Sequence, residues 1–151
     1  MSTAKHTKTF YFDKPVDVLF PMFSVEAEKK WIPDWDYENI MGHTNLHEDY
    51  VFLSKNSGNA KDVIWLVKRY IPITHLIQFY KVEPEDKIGI ITVQCNKIEA
   101  NLTEVEISYE YISLSEKGED FVAGFTSVKF NEFIDQLIKL LIKFFQENEE
   151  N

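Results

Sequence analysis

The sequence predicts an α+β fold: a seven-stranded curved antiparallel sheet wrapped around one long C-terminal helix, with two short helices after the first strand. Three observations carry this. Strand-like segments follow one another at hairpin spacing through the middle of the chain. The apolar period changes from two to that of a helix after Ser115. A short helically spaced set, Val16, Leu19, Phe20 and Phe23, interrupts the β pattern directly after the first strand.

The alternation around Phe10, Tyr11 and Phe12 predicts a first strand over 7–13. Pro15 then fits the first turn of a helix over 15–23, and Pro21 breaks or kinks it. Ser24 is an N-cap for a second helix over 24–30, with Glu26 and Glu28 in its positive first turn. The rigid aromatic segment Trp31-Ile32-Pro33-Asp34-Trp35 follows. Strands are expected at 37–43, 49–55, 61–71, 74–82, 87–99 and 102–114. They are separated by Asn56-Ser57-Gly58-Asn59, Pro72-Ile73, Glu83-Pro84-Glu85-Asp86 and Ala100-Asn101. The last strand alternates most cleanly, with Glu104, Glu106, Ser108 and Glu110 on one face and Thr103, Val105, Ile107, Tyr109 and Tyr111 on the other. A helix over 127–147 carries Phe130, Phe133, Ile134, Leu137, Ile138, Leu141, Phe144 and Phe145, and Gly124 and Thr126 mark a break before it. The whole chain, 1–151, is read as one domain with an ordered core over about 8–147.

The 151 residues carry 16 Lys and Arg against 25 Asp and Glu, a net charge of -9 that argues against phosphate binding and so against nucleic acid. No apolar run reaches the ~18 residues of a membrane span, and the polar N-terminus has no signal-peptide core, so a cytoplasmic location without membrane insertion is expected. Cys95 stands alone in an apolar run and reads as a small core residue. His43 and His47 have no third ligand nearby, and neither a metal nor a cofactor is expected.

Several segments together resemble the SRPBCC superfamily, also called START-like or Bet v 1-like. They are Pro15 after strand one, Glu28-x-x-Trp31-x-Pro33-x-Trp35, the strand from Trp65 to Tyr70, the strand from Thr103 to Tyr111, and Leu114-Ser115-Glu116-Lys117-Gly118. The resemblance covers nearly the whole chain and implies the helix-grip fold. It also implies a deep, largely apolar pocket for lipids, sterols, polyketides or hormone-like molecules. Asp34 departs from the pattern, which has Gly at that place.

Within such a pocket the expected lining is Trp31, Trp35, Trp65, Arg69, Phe79, Tyr109, Tyr111, Phe125, Phe133 and Leu137. Strand alternation puts Arg69 on the face of Trp65 and Val67, where its guanidinium would clamp a carboxylate or pair with Glu28. The two Trp of the loop either lid the pocket or staple the loop to the sheet. The Tyr hydroxyls would bind ligand oxygens, and His75 either moves a proton or stands exposed in its hairpin.

The leading reading is a protein that binds a hydrophobic or amphipathic small molecule. The alternative is a cyclase or dehydratase in the same pocket, with Arg69 polarising a carbonyl and Tyr109 or His75 moving a proton. A third is a co-chaperone-like interaction module, which predicts a large exposed apolar patch. The catalytic residues, if any, are left unassigned, and a homodimer is neither required nor excluded.

Overall fold

The computed structural model describes residues 1–55 and 61–149. The expected Asn56–Asn59 turn and the last two residues of the C-terminal tail lie outside them. Six strands form one antiparallel sheet in the order β1-β6-β5-β4-β3-β2. They are β1 (Thr3–Phe12), β2 (Val51–Ser54), β3 (Val63–Ile71), β4 (Leu76–Glu83), β5 (Lys87–Glu99) and β6 (Leu102–Ser113). Helix α1 (Val16–Leu19) follows β1, and α2 (Glu116–Gly124) and α3 (Ser127–Asn148) follow β6. Within the described residues, no helix is long and apolar enough to cross a membrane.

The expected seventh strand is not formed. Of 37–43, only Glu38 bridges to a strand, at Leu53. Turn chemistry overrides the strand pattern there: Asn39 Oδ1 accepts the Gly42 N–H at 3.1 Å, and Gly42 adopts φ 80°. The first strand starts earlier than expected, because Thr3 to Phe12 pairs residue for residue with Ile112 to Thr103. Its alternation sends Phe10 and Phe12 inward and leaves Thr9 and Tyr11 exposed.

Pro21 acts as expected. The α-helix ends at Leu19, and the chain tightens into a 3₁₀ turn over Phe20–Phe23. The second expected helix is shorter still, a 3₁₀ turn over Ala27–Lys30, entered where Ser24 Oγ accepts the Ala27 N–H at 3.2 Å. Asp34 adopts φ 60°, the left-handed backbone that the resembled pattern assigns to Gly. Asp tolerates that conformation better than most side chains, so the loop keeps its path despite the substitution.

After Ser115, whose Oγ caps α2 by accepting the Gly118 N–H, the chain breaks at Phe125 and restarts at Thr126. Thr126 Oγ1 accepts the Lys129 N–H and caps α3. The 22 residues of α3 span roughly 33 Å. Phe130, Ile134, Leu141 and Phe145 bury one stripe against the sheet, at the four- and seven-residue spacing of a helix face. With Val67, Ile77, Val93, Val105 and Ile107 from the strands and Leu19 and Phe23 from the first crossover, they form a continuous core.

Candidate functional site

Over the half of the sheet nearer α2, α3 does not seal the concave face. A cavity of about 620 Å³ remains between β3–β6, α2, α3 and the Trp31–Trp35 loop. A smaller recess of about 50 Å³ continues inward and shares Glu28, Trp65, Ile91, Tyr109 and Leu137 with it.

Strand register explains the main wall. Trp65 pairs with Lys81, Lys81 with Gly89, and Gly89 with Tyr111, so one inward row crosses four strands. The next inward row is Val67, Phe79, Ile91 and Tyr109. In the first row the Tyr111 ring leans over Gly89. A Cβ there would stand 2.9 Å from Cε1 of Tyr111 and 3.6 Å from Cβ of Lys81. The facing wall is Phe133 and Leu137 of α3, with Phe121 and Phe125 of α2 closing the side. Asp120 and Lys129 are exposed at the rim.

The polar groups of this cavity lack protein partners. Among the described residues, no hydrogen bond reaches the side chains of Glu28, Lys81, Tyr109 or Tyr111, and no ion pair reaches Glu28 or Lys81. Burial pushes the Glu28 carboxyl well above the usual carboxylate range. It raises Tyr109 strongly, with the Tyr111 ring and Glu28 adding to the effect. Tyr111 is raised by burial and by Glu83. Desolvation lowers the Lys81 amine, against the opposing pull of Glu83. Its Nζ lies 5.5 Å from the Trp65 ring centroid.

Beyond this row, the inner face ends in a closed ionic cluster. Lys87 Nζ lies 3.2 Å from Glu83 and 3.5 Å from Asp86, and all three residues are buried. Lys117 of α2 reaches Asp86 at 3.6 Å. Lys87 also sits 3.9 Å above the Phe121 ring, tying the cluster to the helix that walls the cavity.

Of the expected lining, Trp35, Trp65, Tyr109, Tyr111, Phe125, Phe133 and Leu137 border the main cavity, and Trp31 and Phe79 border the inner recess. Trp31 is buried and donates its indole N–H to the Met22 carbonyl at 2.8 Å, so it staples the loop. Trp35 does both: its N–H bonds the Val25 carbonyl at 3.0 Å, and its ring meets Trp65 edge-on at 5.7 Å.

Arg69 is a correction. A bulge lies between Val67 and Arg69, so Val67 pairs with Phe79 but Arg69 pairs with Gln78. The extra residue inverts the alternation. Arg69 faces solvent, and Tyr70 turns inward to stack on Phe20. His75 is likewise remote from the cavity: at φ 59° after the turn, its Nε2 lies 3.0 Å from Asp17 Oδ1 and links the hairpin to α1. Cys95 is buried, its thiol pushed up to about 12 by desolvation.

Sequence reasoning missed Lys81 and Ile91 in the wall. Along 76–83 both strand faces mix apolar and polar side chains, so alternation does not say which way Lys81 points. Glu28, expected in a helix first turn and as a partner for Arg69, instead lines the cavity, and the bulge turns Arg69 away from it.

This is the helix-grip fold of the SRPBCC, or Bet v 1-like, proteins, and solved structures repeat it over nearly the full chain. Ara h 8.0201 matches with a TM-score of 0.68 at 12% identity, over 97% of this chain and 100% of its own. Norcoclaurine synthase from Thalictrum flavum, in complex with dopamine and hydroxybenzaldehyde, matches with a TM-score of 0.66 at 12% identity, over 94% of this chain and 88% of its own. Ginseng major latex-like protein 151 from Panax ginseng matches with a TM-score of 0.66 at 15% identity, over 92% and 95%. No protein-family model matches the chain, and no curated protein matches it by sequence.

Proposed function

We propose that this protein binds one small, largely apolar molecule in the cavity between the sheet and α3. The observation that carries the reading is the cavity itself. About 620 Å³ is within the range of small-molecule sites, and aromatic walls surround a few convergent polar groups without protein partners. Those unpartnered groups favour an amphipathic molecule with a carbonyl, hydroxyl or acidic end, because a buried polar group gains from a hydrogen bond that the protein does not supply. That a structural neighbour holds dopamine and hydroxybenzaldehyde supports small aromatic molecules as the first compounds to screen. Lipids, sterols and polyketides remain in the same class of occupant.

An enzyme of cyclase or dehydratase type is the second reading, and one observation favours it. The cavity contains an acid with a raised pKa, Glu28, and an amine with a lowered one, Lys81. In this reading Arg69 has no part, and Glu28 or Lys81 with Tyr109 replaces the Arg69 and His75 assignment.

Titration of an environment-sensitive dye, 1-anilinonaphthalene-8-sulfonate, tests the binding reading. The expected result is saturable one-to-one binding, competed by small aromatic or fatty compounds and weakened in Phe133→Glu. Weak, unsaturable binding that Phe133→Glu leaves unchanged would overturn it.

A further inference from the structure

We infer that Lys81 is a nucleophilic amine that condenses with an aldehyde held in the cavity, forming an imine at its Nζ; the inference rests on the cavity being the binding site. Four observations place this chemistry at Lys81.

The first is position. Lys81 projects from the middle of β4 into the cavity wall, between Trp65 on one neighbouring strand and Gly89, covered by the Tyr111 ring, on the other. The second is the contrast with Lys87, the other inward-facing lysine of these strands. Lys87 is held by Glu83 and Asp86, whereas Lys81 has neither an ion pair nor a hydrogen bond among the described residues. Glu83 acts on Lys81 only at a distance and Lys87 opposes it, so desolvation prevails and favours the free base, the form that attacks a carbonyl. The lowered pKa of Lys81, caused first by desolvation, agrees with that geometry.

The third is shape. The Tyr111 ring stands over Gly89 beside Lys81, and the Trp65 ring lies on the other side. Both rings line the cavity on either side of Lys81, an aromatic surface that suits an aromatic aldehyde. The fourth is the Tyr111 hydroxyl, which makes no hydrogen bond to the described residues and keeps its proton because burial and Glu83 disfavour the phenolate. It is a donor available to a carbonyl oxygen.

The step balances without any further reagent. The Lys81 nitrogen lone pair forms a C–N bond to the carbonyl carbon as the π electrons move to oxygen. One N–H proton passes to that oxygen, giving a carbinolamine. The hydroxyl then leaves as water with the second N–H proton, and C=N remains.

The test incubates the full chain at pH 7 with 2-naphthaldehyde and sodium cyanoborohydride, then maps naphthylmethyl groups by peptide mass spectrometry. Binding of the aldehyde is followed separately by quenching of tryptophan fluorescence. Lys81 should be labelled about tenfold faster than exposed Lys5 or Lys68, because surface amines near pKa ~10.4 are almost wholly protonated at that pH. Lys81→Arg should lose this label, whereas Lys68→Arg, at an exposed site away from the cavity, should keep both the Lys81 label and the quenching. Quenching with labels spread evenly over exposed lysines would overturn the inference and leave the binding reading standing. If quenching is absent as well, both fall.

Discussion

A Cβ on Gly118 would stand 2.0 Å from the carbonyl oxygen of Asp86. Helix α2 therefore rests directly on the backbone of the β4–β5 turn, and the Leu114 N–H bonds the same oxygen at 2.8 Å. Backbone cannot give way as a side-chain tip can. Gly118→Ala should lift α2, separate Phe121 from Lys87 and cost about 3 kcal/mol of stability. Urea denaturation checks the stability, and dye binding should change with it because Phe121 and Phe125 wall the cavity.

Gly89 is a different kind of glycine. A Cβ there would meet a side chain, the Tyr111 ring, at 2.9 Å, and a side chain can move where backbone cannot. Gly89→Leu should therefore be tolerated by the sheet while displacing Tyr111, which lines the cavity. We expect ligand affinity to fall about tenfold with the unfolding transition still cooperative. Paired calorimetric and melting measurements separate these effects.

The bulge after Val67 makes a prediction opposite to the one that strand alternation makes. Arg69 faces water, so Arg69→Met should leave affinity for an acidic ligand unchanged. A loss of affinity, with the fold intact, would mean that the strand register in solution differs from that described.

Glu28 links stability to pH. Its native pKa lies above the unfolded value of about 4.5, so the folded state binds the proton more tightly. Its favourable contribution is present below pH 4.5 and is lost as pH rises through the native value. Glu28→Gln cannot ionise. The variant should match the wild type near pH 4 and become progressively more stable than it from pH 4.5 upward. Melting temperatures across that range are the check, and parallel curves for the two proteins would contradict it.

How much of this was legible in the sequence varies by element. Tyr109 and Tyr111 lie in an unbroken alternation from Thr103, and their inward facing follows from it. Phe133 and Leu137 follow from the helical period of α3 in the same way. The Arg69 error arose because a bulge adds one residue and nothing in Val67-Lys68-Arg69 signals it. The missing strand at 37–43 was a contest between a β-like pattern and the Asn39–Gly42 turn, which local hydrogen bonding decided. Lys81 was hidden for a third reason. A lysine reads as a surface residue unless its strand register is known, and only the pairing of Trp65 with Lys81 and of Lys81 with Gly89 supplies that.

Native mass spectrometry of the purified protein, with extraction of anything bound, tests the cavity as a ligand site most directly. We expect a one-to-one complex with a small, mostly apolar molecule, either carried through purification or formed on adding an aromatic aldehyde or fatty acid, and weakened in Gly89→Leu. A protein that stays free of any such adduct, or an adduct that Gly89→Leu retains unchanged, would contradict the binding reading.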